Sequence, residues 1–288
     1  LDLPINLGES KSGIVNTVQA IENAATNDDI KAIMLNLGSI SGGYAQVEEI
    51  REALEVFKAS KKPIFAYGEY MTEKAYYLAS VADKVFLPHE GILEFNGLYT
   101  ELMFYKGVFE KLGVEPKIFK VGKFKSAVEP FFRKDMSEAN RLQVRTYLES
   151  VYGAVLANIS KSRGVSEQEL RTISDELLVQ TTDDAKKYKL IDEVAYYDEV
   201  LAELKVTIGL TADDKITFVS PSVLVPQVEL PSMEDKVAIV VAEGEIIDGS
   251  SSDGYLGSRT FVKNLNKAVD DNDVKAIVIR INSPGGSA

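Results

Sequence analysis

Two short stretches hold residues whose types and spacing could do chemistry. Val121–Pro130 reads V-G-K-F-K-S-A-V-E-P and sets Lys125 among the apolar residues Phe124, Ala127 and Val128. The pattern predicts a strand over Pro116–Val121 just before it and a proline-limited turn just after. A lysine there is either an ordinary surface charge or a titratable group held beside apolar surface, and the residues alone leave both open. The second stretch, Ile281–Gly286, reads I-N-S-P-G-G. A glycine pair after a buried strand lets the backbone turn sharply and leaves amide N–H groups uncovered by side chains. Such groups can hold the oxyanion that develops in acyl chemistry, although a bare Gly-Gly turn is also a common structural device.

Composition narrows the alternatives. The chain has 288 residues, 45% hydrophobic and 26% charged, which is the composition of an ordinary globular protein with room for one large domain or two. Its net charge of −12 opposes nucleic-acid backbones, and no basic patch offsets it, so no nucleic-acid partner is expected. The absence of Cys excludes disulfides, thiolate metal sites and a cysteine nucleophile. The single His89, in the turn Pro88-His89-Glu90-Gly91, excludes a multi-histidine metal site and reads as a loop residue. No metal and no cofactor are expected. No apolar run is long enough to span a membrane, and no signal peptide opens the sequence.

The elements that must position the two stretches follow from an internal repeat. Asp29–Leu37 (DIKAIMLNL) matches Asp273–Ile281 (DVKAIVIRI) at an offset of 244, and both run on into a Ser/Gly turn, Gly38–Gly43 in one and Asn282–Gly286 in the other. The match extends backwards, with Val18, Ile21, Ala24 and Ala25 answered by Val262, Leu265, Ala268 and Val269. Each copy reads as helix, buried strand, glycine turn. Downstream in the first copy, Val47, Ile50, Leu54 and Phe57 mark a helix face, Pro63–Tyr67 a strand, Glu73–Ala82 a helix and Lys84–Leu87 a strand. Helices follow at Met103–Leu112, after Ser137 with the stripe Val144, Leu148, Val151, Val155 and Ile159 up to Gly164, after a Ser166/Glu169 capping box, and at Asp198–Gly209. Strands alternating with helices predict βαβ units and a mostly parallel sheet. The expected organisation is a first domain over 1–220, a proline-broken linker over 221–235, and the start of a second copy over 236–288. Within that second copy, Asp248–Gly257 is expected to be a mobile loop.

With the duplicated layout, Tyr76-Tyr77-Leu78-Ala79-Ser80, Ala82-Asp83-Lys84 and the lysine stretch, I-N-S-P-G-G resembles the signal peptide peptidase A (protease IV) family, in its long two-domain form, and more broadly the Clp-type serine peptidases. The resemblance implies an α/β fold made of a duplicated Clp/crotonase-like domain, the second copy truncated here. It implies a serine-lysine endopeptidase of cleaved signal peptides and other short apolar peptides. Lys125 falls on the family's general-base lysine, and Gly285 and Gly286 on its oxyanion loop. A lysine serves as a base only when desolvation or a neighbouring positive charge favours its neutral form. Lys123, two residues earlier, would share its face of an extended segment; it is the fallback base and could help in that role. Ser126 is a structural hydroxyl or a proton-relay partner.

The family's nucleophilic serine lies in a turn whose first-copy equivalent is Met71–Tyr77, where Glu73 stands instead. No nucleophile is therefore expected in the sequence given, and both ends read as cuts in a longer polypeptide. An upstream membrane anchor, a periplasmic active site at a bacterial inner membrane, and a tetrameric homo-oligomer are further implications of the resemblance. Two rivals share the fold logic: an acyl-CoA hydratase or isomerase, for which no catalytic carboxylate or CoA site is evident, and a non-catalytic scaffold, which Glu73 favours.

Overall fold

The computed structural model describes residues 13–225 and 235–287. The chain divides into two compact units, Leu1–Pro226 and Gln227–Ala288. In the first, the elements are α1 (Ile14–Thr26), β1 (Ile33–Asn36), α2 (Tyr44–Phe57), β2 (Ile64–Tyr67), β3 (Tyr70–Met71), α3 (Glu73–Ala79), β4 (Lys84–Leu87) and β5 (Ile92–Leu93). They continue with α4 (Lys106–Leu112), α5 (Glu129–Phe132), α6 (Glu138–Arg163), α7 (Glu167–Asp175), α8 (Thr182–Lys187), β6 (Glu193–Val194), α9 (Tyr197–Thr207) and α10 (Pro221–Leu224).

The main sheet runs β1-β2-β4-β6 with every pair parallel, Ile33 opposite Ile64 and Phe65 opposite Lys84. Successive side chains of a strand point to opposite faces, so a near-continuous apolar run must be covered on both sides. Ile33, Leu35, Ile64, Ala66, Val85 and Leu87 pack on one face against helix residues such as Ile21, Leu54, Leu78 and Leu156. Met34, Phe65, Tyr67 and Phe86 face the other way, onto Val200 and Leu204 of α9. The expected α/β class with a parallel sheet is what forms. A smaller parallel pair, β3 with β5, carries the chain into and past α3.

The long helix starts and stops where its residues dictate. The Ser137 hydroxyl accepts from the Asn140 amide at 3.1 Å, and Gly164 ends the helix in the left-handed region at φ 66. For α7 only the serine half of the expected capping box forms, Ser166 accepting from the Glu169 amide. Three other expectations are corrected. Pro116–Val121 forms no strand: Phe119 and Val121 are almost fully exposed, and among the described residues no neighbouring strand offers the segment a ladder. The helix expected from Met103 begins at Lys106. Of the expected linker, Pro221–Leu224 form α10, tied to α1 by the Asn23 side-chain amide donating to the Leu224 carbonyl at 2.7 Å; residues 226–234 lie outside those described.

The second unit contains β7 (Lys236–Glu243), β8 (Glu245–Ile247), β9 (Tyr255–Gly257), α11 (Ser258–Asp270) and β10 (Val274–Asn282). β10 pairs parallel with β7, Ile277 opposite Ala238 and Asn282 opposite Glu243. α11 begins and ends 244 positions after α1, the offset of the sequence repeat. Val240 and Ala242 are buried, whereas Val237, Ile239 and Val241 on the opposite face of β7 are exposed. Asp248–Gly257 is a hydrogen-bonded loop ending in β9. The Gly257 amide donates to the Ser251 hydroxyl within the loop, and the Ser251 amide donates to the Thr260 hydroxyl of α11, both at 2.9 Å.

Candidate active site

Lys125 sits in a turn, not after a strand. Gly122 supplies the turn with φ 97, and Ser126–Val128 form a 3-10 turn leading into α5. Lys123 therefore does not share an extended face with Lys125; its ammonium lies over the Phe124 ring, 5.9 Å from the centroid. The apolar enclosure expected for Lys125 is also absent within the first unit. Lys125, Phe124 and Ala127 are all exposed, and Lys125 has no ion pair or hydrogen bond among the described residues. Ser126 is different: its hydroxyl is buried and has no partner.

What holds this turn is Glu129, a residue the sequence reasoning left without a role. Its side chain is buried and accepts from the Ser137 hydroxyl at 2.6 Å, the Ser137 amide at 3.0 Å and the Asn140 side-chain amide at 3.1 Å. Lys120 adds a cation at 3.9 Å. Burial alone would push this carboxyl up, but the Ser137 and Asn140 bonds and the Lys120 charge bring it below the usual carboxylate range. Four residues after Lys125, Glu129 thus pins the turn to the start of the 26-residue helix α6. The Tyr105 amide, donating to the Pro130 carbonyl at 2.7 Å, fixes it from the other side. The signal in the sequence is a glutamate in front of a proline, eight residues before a serine helix cap.

In the second unit the glycine loop is shaped by its register. The Ile246 amide donates to the Gly285 carbonyl at 2.8 Å, and the Ser287 amide donates to the Ile246 carbonyl at 2.9 Å. In a parallel bridge of that kind Gly286, lying between those two groups, must turn its own N–H away from Ile246. That N–H has no partner among the described residues. A Cβ on Gly286, at φ 151, would come within 2.2 Å of the Ile246 carbonyl oxygen, so only glycine fits. The Gly285 amide is already engaged, donating to the Ser283 hydroxyl at 3.2 Å. Of the expected pair of oxyanion donors, Gly286 is the open one.

Glu73, the residue expected at the first copy's counterpart of the nucleophile position, opens α3 behind the Thr72 cap and is buried. One oxygen accepts from the Gly97 amide at 2.7 Å and the Asn96 amide at 3.1 Å, while the other has no hydrogen bond. The Tyr152 hydroxyl faces the carboxyl without a bond of normal geometry. Burial pushes the carboxyl up to about 7 against the pull of those amides. His89, as expected, is an exposed turn residue. No group of His, Cys, Asp and Glu among the described residues is arranged to hold a metal ion.

Residues 56–211 match the sequence model of Peptidase family S49. The chain belongs to that family. It is 32% identical over 290 residues to "Protease 4" of Haemophilus influenzae, covering 96% of this chain and 47% of that protein. To "Protease 4" of Salmonella typhi it is 34% identical over 289 residues, covering 96% and 46%. To "Serine protease SPPA, chloroplastic" of Arabidopsis thaliana it is 30% identical over 273 residues, covering 92% and 40%. The chain thus spans about half the length of the curated relatives it matches. The S49 match contains Glu73, Lys125 and Glu129, whereas the Gly286 loop lies outside it.

Proposed function

We propose that this chain is the base-bearing and oxyanion-bearing part of a serine-lysine peptidase that cleaves signal-peptide remnants and other short apolar peptides. The observation that carries the reading is the unpartnered Gly286 N–H, aimed away from Ile246 by its register and guarded against any side chain. Two copies of one domain, the second continuing in the parent polypeptide, account for the matched offsets of α1 and α11 and for the open face of β7. A serine contributed by that continuation attacks the scissile carbonyl, Lys125 takes its proton and later delivers it to the leaving amine, and Gly286 holds the oxyanion. Because the first unit leaves Lys125 exposed, its desolvation comes from whatever covers the turn in the whole protein. A proton-relay role for Ser126 is supported by its hydroxyl having no hydrogen-bond partner of its own.

A homo-oligomer, with a tetramer as the expected form, is supported by the exposed apolar side chains of Tyr99, Met103, Leu112, Phe119 and Val121 between β5 and the lysine turn. A periplasmic site at a bacterial inner membrane, anchored upstream, rests on the family resemblance; no helix among the described residues is long and apolar enough to cross a membrane. The decisive test is Lys125→Ala in the longer parent protein. Peptide turnover should fall about 10²–10⁴-fold with an unchanged circular dichroism spectrum, and near wild-type turnover would remove Lys125 from the mechanism.

A further inference from the structure

Beside Glu73 the first unit has a cleft of about 500 Å³ between the chain after β5 and helices α6 and α7. Residues 141, 144, 145 and 148 recur at helical spacing on α6, so Arg141, Val144, Arg145 and Leu148 present one face to it. Arg141 and Arg145 are exposed and have no ion-pair partner among the described residues. In a chain of net charge −12 that is unexpected, since acids to pair them are plentiful. Placed four apart on a helix, the two guanidiniums also repel each other. The cleft's third arginine, Arg171, is occupied: it pairs with Glu149 at 3.4 Å and lies over the Tyr152 ring, 5.5 Å from the centroid. Asp175 on the same rim makes no ion pair.

Two further features of this cleft are unsatisfied. Leu98, Tyr99 and Thr100 line it, and their backbone amides make no hydrogen bond among the described residues. Tyr152, which lines it deeper in, is buried, and its hydroxyl has no partner. A free backbone stretch is what an extended peptide uses to add itself to a protein, and paired guanidiniums are what a carboxylate seeks.

We propose that this cleft is a second, non-catalytic peptide site that takes the carboxylate end of a short apolar peptide. The terminal carboxylate sits between Arg141 and Arg145, the last side chain rests on Val144 and Leu148, and the peptide backbone runs along residues 98–100. Only the origin of the ligand rests on the peptidase reading, since cleavage creates a new terminal carboxylate on each amino-side product. Glu73 then acts as a positioning residue: by gripping the Asn96 and Gly97 amides it holds the wall from which residues 98–100 extend.

The test uses the 288-residue chain and a fluorescein-labelled Ala-Leu-Ala-Leu peptide, as the free acid and as the C-terminal amide, read by fluorescence anisotropy. The free acid should bind at least about tenfold more tightly than the amide. An Arg141→Ala/Arg145→Ala variant should lose that preference, while Lys125→Ala should bind as the wild type does. Both arginines are exposed, so the double variant should keep its circular dichroism spectrum and melting temperature. Equal binding of acid and amide, or no binding of either at millimolar protein, overturns the proposal. So does a double variant that binds normally, or one whose only loss is of binding to phosphatidylglycerol vesicles. Loss of binding in Lys125→Ala would move the peptide to the lysine turn. Turnover by the longer protein, measured separately, reports on the peptidase reading alone.

Discussion

At repeat-equivalent positions the molecule carries two glycine turns, each following a helix and a strand; β1 is buried, whereas β10, expected to be buried too, is exposed in its own unit because no layer of that unit covers it. In the first, the Gly43 amide donates to the Gln46 side chain at 2.9 Å, and the Gly42 carbonyl accepts from the Lys74 ammonium at 2.6 Å. Glu73 is buried nearby at the start of α3. In the second, the neighbouring strand takes the Gly285 carbonyl and the Ser287 amide, and the Gly286 N–H is left open. The Gly42 N–H, the repeat equivalent of Gly286, likewise makes no hydrogen bond among the described residues, so the two turns differ in what holds them: side chains in the first, a neighbouring strand in the second. The side chains that brace the first turn, Gln46 and Lys74, come from outside the repeated motif.

The sharpest way to break the comparison is to add a methyl group to each turn. Gly286→Ala in the longer protein places a Cβ against rigid backbone at 2.2 Å and should displace the donor, lowering kcat by about 10²–10³-fold. Gly42→Ala, at φ 102, meets only the movable Gln46 side chain. It should cost about 1 kcal/mol in denaturant unfolding and leave kcat within twofold. Equal effects on kcat from both substitutions would end the distinction.

Next in size is the anchor of the lysine turn. Glu129→Ala removes the acceptor of three hydrogen bonds and leaves Ser137 and Asn140 unsatisfied, a loss of about 2–4 kcal/mol in chemical denaturation. It should also lower kcat more than it raises KM, because it acts by misplacing Lys125. A variant with wild-type kcat would show that the turn needs no anchor.

Glu73 gives a pH signature confined to the first unit. Its carboxyl titrates near 7 in the folded chain and in the ordinary carboxylate range when unfolded. Between those values the folded state holds a proton that the unfolded state has lost. Its contribution to stability is therefore complete below the unfolded value and is lost as pH rises through 7, by roughly 3 kcal/mol in total. Glu73→Gln should flatten this slope in urea unfolding measured from pH 4 to 8, and an unchanged slope would contradict the burial assigned to the carboxylate. The smallest effect belongs to Ser126→Ala. Its buried hydroxyl has no partner to lose, so thermal unfolding should show a change within about 0.5 kcal/mol; a larger loss would reveal a structural role.

Much of the frame was legible because it depends on local pattern. The apolar runs at β1, β2 and β4, the helix stripes, the Ser137 cap and the Gly164 stop all follow from spacing and backbone chemistry. Pro116–Val121 was misread because a run such as Ile118, Phe119 and Val121 becomes a strand only beside a partner, and none pairs with it among the described residues. The bonds that tie Asp248–Gly257 to itself and to α11 were not legible for a related reason: which small polar residues pair is set by the fold, and composition cannot reveal it.

For the candidate site, the sequence by itself determined which residues are the candidates for chemistry: Lys125 in its motif and the I-N-S-P-G-G turn, with Glu73 at the position the family resemblance compares with a nucleophile. Only the tertiary structure decided that Lys125 is exposed in its own unit, that Glu129 and not an apolar pocket fixes its turn, and that Gly286 rather than Gly285 has the open N–H. The reason is physical. A residue's type and its near neighbours are local properties, but burial and the pairing of a polar group are set by segments distant in sequence, as when a strand register at Ile246 determines which way the amide of Gly286 points.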